Sequence, residues 1–160
     1  MSENDTTDRK IVELLMEDGR MAAAEIARRI GGGISERVVR YHINRMVNEK
    51  VIQISPIVNP QAFGLNTRAD VVLEVESDAI MKVALQAMEY ECVTYTACSI
   101  GEKDVSIQVV GKDTEEIFRF VMEVIGKMPG VRKTTTSIVP LVLKDVYQWK
   151  IPRDAIPEEN

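Results

Sequence analysis

The chain has 160 residues, 45% of them hydrophobic and 28% charged, with 20 lysines and arginines against 25 aspartates and glutamates. That balance fits a globular chain of one domain or two small ones, with enough apolar side chain to bury a core. No apolar run reaches transmembrane length, and the polar start MSENDTTDRK does not read as a secretory signal, so no membrane partner is expected and the cytoplasm is the default location.

Three short helical patterns come first. TTDRKIVELLMEDG puts Ile11, Leu14 and Leu15 on one face and is expected to close at Gly19 in a left-handed cap. MAAAEIARRI is rich in helix formers, with Ile26 and Ile30 four apart. Gly31, Gly32 and Gly33 then break the chain. Ser35 follows as the expected cap of a third helix, SERVVRYHINRMVNEK.

After Lys50 the pattern changes. VIQISPIVNP alternates and is β-branched, which predicts a strand from about Val51 to Val58, with Pro56 marking an edge or bend. NPQAFGLN reads as a linker. The remainder reads strand ADVVLEV, helix DAIMKVALQAMEY capped by Asp78, strand VTYTACSI, turn GEKD and strand VSIQVVG. Helix DTEEIFRFVMEVIGKM, capped by Asp113, and a long β-rich stretch, RKTTTSIVPLVLKDVYQW, complete the pattern. The order β-α-β-β-α-β is the ferredoxin-like arrangement. The expected class is therefore α+β: a helix-turn-helix over residues 1–52, a strand and linker over 53–66, a ferredoxin-like sandwich over 67–150, and a frayed tail over 151–160.

Charge is segregated along this plan. Residues 1–19 carry net −4, residues 20–50 net +4, and residues 51–160 net −5. The basic island coincides with the second and third helices. Near a phosphate backbone, local charge counts more than the total.

On the third helix, Val39, Ile43, Met46 and Val47 fall on one face at helical spacing. Arg37, Tyr41, Asn44 and Asn48 fall opposite, flanked by Arg40 and Arg45. These residue types suit a duplex: arginine reads guanine or clamps phosphate, asparagine reads adenine, and tyrosine or Ser35 donates to phosphate. Arg28 and Arg29, on the preceding helix, are placed to touch the backbone. A solvated polar face is the plain alternative for the helix alone. His42, the single histidine of the chain, falls at the border of the apolar face, where a satisfied packing role is expected.

Little points to catalysis. Cys92 and Cys98 lie six apart, with no CxxC motif and no neighbouring histidine, so two reduced thiols are expected, with no metal and no disulfide. No Ser/His/Asp set or phosphate loop is present, and no cofactor or catalytic residue is assigned.

The segments DRKIVELLMEDGR, EIARRI, SERVVRYHINRM, VIQISPIVNPQAFG, GEKD and MPGVRKTTTSIV occur in one order over roughly Asp8 to Trp149. In that order the chain resembles the leucine-responsive/asparagine-regulator (Lrp/AsnC) family of transcription regulators. The resemblance implies a helix-turn-helix that binds double-stranded DNA, followed by an amino-acid-sensing α/β domain. It implies homodimers formed through that second domain, with further assembly to tetramers or octamers. It places an amino-acid effector near the Gly-x-x-Asp turn, here Gly101 and Asp104, with Ser99, Thr134 and Thr136 as looser matches. From the residues alone, GEKD is a tight hairpin turn with a solvated acid. The chain departs from the family in His42 for an arginine, Lys50 for a glycine, the three-glycine turn, and AAA where the second helix usually has a hydroxyl cap.

Two other readings share this scaffold. Siroheme decarboxylases are similar overall, but the α/β half here has no histidine, and its arginines Arg68, Arg119, Arg132 and Arg153 are scattered in sequence. A ligand-sensing assembly module, with the helix-turn-helix serving protein contacts, is the other.

Overall fold

The computed structural model describes residues 3–152. The chain forms two compact units: a first containing the residues up to Ile57 together with the segment from Lys144, and a second, Val58–Leu143. Among the described residues, no helix is long and apolar enough to cross a membrane.

The first unit holds α1 (Glu3–Glu17), α2 (Ala23–Ile30) and α3 (Glu36–Asn48). Ile11 of α1, Ala23 and Ile26 of α2, and Val39 and Met46 of α3 are buried together, with Leu14, Leu15, Ile30 and Ile43 packed around them. No one of these helices, at most four turns long, holds its shape alone in water; the shared apolar cluster does it. The expected left-handed cap at Gly19 does not form, since Gly19 is not among the glycines of positive φ. Asp18 closes the turn instead: its carboxylate accepts from the Arg20 N–H at 2.9 Å, and its carbonyl accepts from Met21 N–H at 2.9 Å. An aspartate that bonds two residues ahead makes the left-handed glycine unnecessary.

The α2–α3 turn does need its glycines. Gly31, Gly32 and Gly33 have φ of 72°, 67° and 80°, a run in the left-handed region that costs a side-chain-bearing residue roughly 1–2 kcal/mol at each position. Ser35 then caps α3 as expected, accepting from Val38 N–H at 3.3 Å. At its other end α3 closes in a Schellman motif, with Lys50 N–H to the Val47 carbonyl (3.1 Å) and Val51 N–H to the Met46 carbonyl (2.8 Å). Lys50 occupies the left-handed position of that motif, at φ 59°.

The strand expected over 51–58 is not formed: that stretch has no ladder partner among the described residues. Alternation supplies the side chains for a strand, but a strand also needs an edge to pair with. A 3-10 turn, Pro60–Phe63, follows, capped by the Asn59 side chain.

The second unit has the expected ferredoxin-like order. It runs β1 (Thr67–Val75), α4 (Ile80–Ala87), β2 (Val93–Cys98), β3 (Val105–Gly111), α5 (Thr114–Glu123) and β4 (Val131–Ile138). The antiparallel sheet has strand order β2-β3-β1-β4. One face packs Ala69, Val71, Leu73 and Val75 of β1 with Val105, Ile107 and Val109 of β3 against Val83, Ala84 and Ala87 of α4 and Ile117 and Val121 of α5. Asp113 caps α5, accepting from Glu116 N–H at 2.8 Å. Asp78 does not cap α4: Ala79 is the first flanking residue and makes no side-chain cap. The long β-rich stretch expected to Trp149 stops at Ile138. Pro140 has no N–H for a ladder, and a 3-10 turn, Val146–Gln148, follows with a capping box from Asp145 and Gln148. Of the tail expected over 151–160, the part beyond Pro152 lies outside the described residues.

Candidate nucleic-acid interface

The third helix has one buried flank and one exposed stripe. Val39, His42 and Met46 are buried and Ile43 is half-buried. The buried face is turned toward His42 relative to the expected one: His42 is only 5% exposed, whereas Val47 is 41% exposed. The cause lies on α1. The Asp8 carboxylate accepts at Oδ1 from His42 Nδ1 (2.6 Å) and at Oδ2 from Arg45 Nη2, which draws the inner side of α3 onto α1. Nothing local announces this contact, because Asp8 precedes its partners by 34 and 37 residues.

Arg37, Arg40, Tyr41, Asn44 and Asn48 are exposed, Tyr41 at 64%. The stripe expected from helical spacing therefore faces solvent, on the side away from Val39 and Met46. Ser35 uses a lone pair of its hydroxyl oxygen for the cap, and the hydroxyl proton remains a donor.

The basic residues carry internal partners. Arg28 pairs with Glu25 at 2.6 Å, Arg29 with Glu17 at 2.8 Å, Arg40 with Glu36 at 2.5 Å, and Arg45 with Asp8. The hydrogen bond from Arg28 holds the Glu25 carboxyl below its usual range, opposed by desolvation and aided by the positive charges of Arg28 and Arg29. Among the described residues, Arg37 is in no ion pair. Exposed pairs of this kind contribute about 0–1 kcal/mol, so a phosphate can displace the carboxylates of Arg28, Arg29 and Arg40. Arg45 differs, being held on a part-buried carboxylate.

In the second unit, Ser99, Gly101 and Asp104 share the β2–β3 turn. Ser99 N–H donates to the Asp104 carbonyl (2.8 Å), and Asp104 N–H donates to the Leu73 carbonyl (3.0 Å). The Asp104 carboxylate is not merely solvated: Oδ2 accepts from Val75 N–H at 2.7 Å. Thr134 and Thr136 lie on β4, opposite Leu73 and Val71. They stand on the far side of β1 from the turn, about two strand spacings or ~10 Å away. The turn residues and the threonines thus flank β1 on opposite edges.

The second unit also has a groove of about 350 Å³ between α4 and β2, lined by Met81, Leu85, Met88, Tyr95 and Cys98 among others. None of the expected effector residues lines it. Cys98 is exposed and Cys92 half-buried, both free; burial pushes the Cys92 thiol up, aided by the Glu116 carboxylate and partly offset by a backbone hydrogen bond. Among the described residues, no group of three histidine, cysteine or acidic side chains could hold a metal.

The chain matches two family models in sequence: winged helix-turn-helix DNA-binding over residues 4–53, and the Lrp/AsnC ligand binding domain over residues 69–148. It is 36% identical to an uncharacterized HTH-type transcriptional regulator of Pyrococcus horikoshii, over 91% of both chains. It is 30% identical to the HTH-type transcriptional regulator FL11 of Pyrococcus furiosus, over 92% of this chain and 96% of that one. Its fold is similar to that of a transcriptional regulator of Neisseria meningitidis solved as an L-Met complex, with a TM-score of 0.83 at 22% identity, covering 94% of this chain and 97% of the other.

Proposed function

We infer the action of this protein from its kinship: the chain belongs to the Lrp/AsnC family of transcription regulators. It is a DNA-binding regulator, with a helix-turn-helix followed by a ligand-binding α/β domain. The observation that supports a finer reading is the outward stripe Arg37, Tyr41, Asn44 and Asn48, opposite the buried Val39 and Met46. In this reading α3 enters the major groove. Arg37 meets a guanine edge or a phosphate and Asn44 an adenine edge, while Tyr41 and Ser35 donate to phosphate. Arg28, Arg29 and Arg40 leave their carboxylates for the DNA backbone, and Arg45 borders the contact.

The regulator acts as a homodimer, with higher assembly to tetramers or octamers. Two recognition helices related by a two-fold axis then read a palindromic site, with half-sites about one helical turn apart. An amino acid is its effector, a reading supported by the ligand-binding family match and by the L-Met complex of the Neisseria regulator. Ser99, Gly101 and Asp104 of one copy, with Thr134 and Thr136 of another, form the site. Such a ligand shifts DNA affinity only through its differential contacts with the assembled states.

Selection of bound duplexes from random-sequence DNA tests the reading and reports half-site spacing at once. In gel-shift titrations of the selected duplex, Arg37→Ala with Arg40→Ala abolishes binding while sedimentation shows unchanged assembly. Equal affinity of parent and variant removes α3 as the reading element. For the effector, a thermal shift with one of the twenty amino acids, lost in Asp104→Asn, is the expected result.

A further inference from the structure

We propose that Asp8 is a positioning residue for DNA recognition: its one carboxylate clamps His42 and Arg45 on the inner flank of α3, and the proton on His42 links duplex binding to pH. The inference rests on the DNA-binding reading given above. His42 and Arg45 lie three apart, close to one helical turn, so a single carboxylate that holds both fixes the roll of α3 against α1. The clamp is shielded from water: the side chains of His42, Asp8 and Arg45 are 6%, 18% and 25% exposed.

The chemistry of the clamp leaves one site open. A neutral imidazole that donates to Asp8 carries its hydrogen on Nδ1, so Nε2 takes the next proton. Adding that proton breaks no bond to Asp8 and changes only the charge. The carboxylate of Asp8 and the guanidinium of Arg45 cancel, so the cluster is neutral with neutral His42 and carries one positive charge with His42 protonated.

Among the described residues, the charged groups that contact the imidazole are Asp8 and, through its carboxylate, Arg45. From α1 the contact is Asp8; from α3 it is the Tyr41 ring, edge-on to the imidazole at 5.8 Å between centroids, with Arg45 sharing the carboxylate. The charged side chains of α2 are engaged elsewhere, Glu25 with Arg28 and Arg29 with Glu17. Tyr41 belongs to the exposed stripe, so the imidazole stands directly behind a residue that faces DNA. Phosphate brought to that face favours the charged cluster, and duplex binding is accompanied by proton uptake. Affinity therefore rises as pH falls through the imidazole titration, by at most about tenfold per pH unit for each recognition helix.

The test is fluorescence anisotropy at fixed ionic strength across about pH 5 to 8. The probes are a labelled duplex selected by the parent protein and poly(dI-dC). The parent is expected to bind more tightly as pH falls. His42→Gln is expected to be flat, at the parent's alkaline affinity, and His42→Arg flat at its acid affinity. Asp8→Asn narrows the ratio of selected to poly(dI-dC) affinity. A purely structural role changes melting but leaves the pH slope in place. A folded His42→Gln protein with the parent's slope overturns the proposal, as does a flat parent profile. His42 is the single histidine, so its imidazole resonance in the parent gives a second measurement. Its titration moves to higher pH on adding the duplex, and an unmoved titration overturns the proposal even if the variants fail to fold. Absence of binding to either duplex at every pH overturns the DNA reading as well; binding without pH dependence overturns the His42 linkage alone.

Discussion

Replacing Asp104 by alanine is expected to cost the second unit about 2 kcal/mol before any effector is added. The β1–β4 register slips between Glu74 and Val75, where Val75 pairs with Val131 and Arg132 is skipped. On the other edge of β1, past the end of its ladder with β3, the Val75 N–H donates to the Asp104 carboxylate, 2.7 Å away, while the Val75 side chain is 2% exposed. A hydrogen bond to a charged acceptor contributes about 1.5–3 kcal/mol, and the half-exposed setting of Asp104 places the loss toward the lower part of that range. For a unit of this size, 2 kcal/mol corresponds to a fall of roughly 8–16 °C in Tm. Asparagine keeps a carbonyl acceptor, so Asp104→Asn is expected to lose about half as much. Urea unfolding at fixed protein concentration, without amino acids, measures both. Equal midpoints for parent and Asp104→Ala would refute the reasoning, as would an Asn variant no better than Ala. This internal bond is the reason that Asp104→Asn, rather than Asp104→Ala, is the cleaner probe of an effector.

Lys50→Gly is expected to stabilise the first unit by about 0.5–1 kcal/mol, because it relieves the left-handed strain at φ 59° and gives back part of that gain in unfolded-chain entropy; urea midpoints report it. Gly130→Ala is expected to destabilise the second unit by about 3 kcal/mol, since φ is +94° and a new Cβ would lie 2.3 Å from that of Ala79; a Tm unchanged from the parent would contradict this. Iodoacetamide is expected to alkylate Cys98 before Cys92, with Cys92 reacting only at higher pH, because burial holds its thiol protonated; peptide mass mapping over a pH series reads the order.

What could be read in advance was local. Ser35 and Asp113 announced their caps, because a hydroxyl or carboxylate three residues before an amide reaches it with no help from the rest of the fold. The alternation of Ala69, Val71, Leu73 and Val75 announced a half-buried strand. Non-local contacts could not be read. His42 moved from border to core because Asp8 waits on another helix. The stretch after Lys50 has strand chemistry without a strand partner among the described residues. Asp78 and Asp113 look alike in sequence, yet one caps and the other does not, because the chain before α4 turns a residue later. The effector residues were named from a resemblance, and the placement of Asp104 and Thr134 on opposite edges of β1 is a matter of strand order, which spacing does not encode.

The carboxylate partners of Arg28, Arg29 and Arg40 bear on counterions. A protein that neutralises phosphates with free cations gains from the counterions released, and log K falls by about 0.9 for each phosphate per unit of log salt. Here each engaged arginine leaves a glutamate that gathers solution cations in turn. The released and recaptured ions offset one another, so the salt slope is expected to count Arg37 fully and the paired arginines only in part. Such a surface adheres weakly to DNA in general and leaves more of its affinity to the bases that α3 reads.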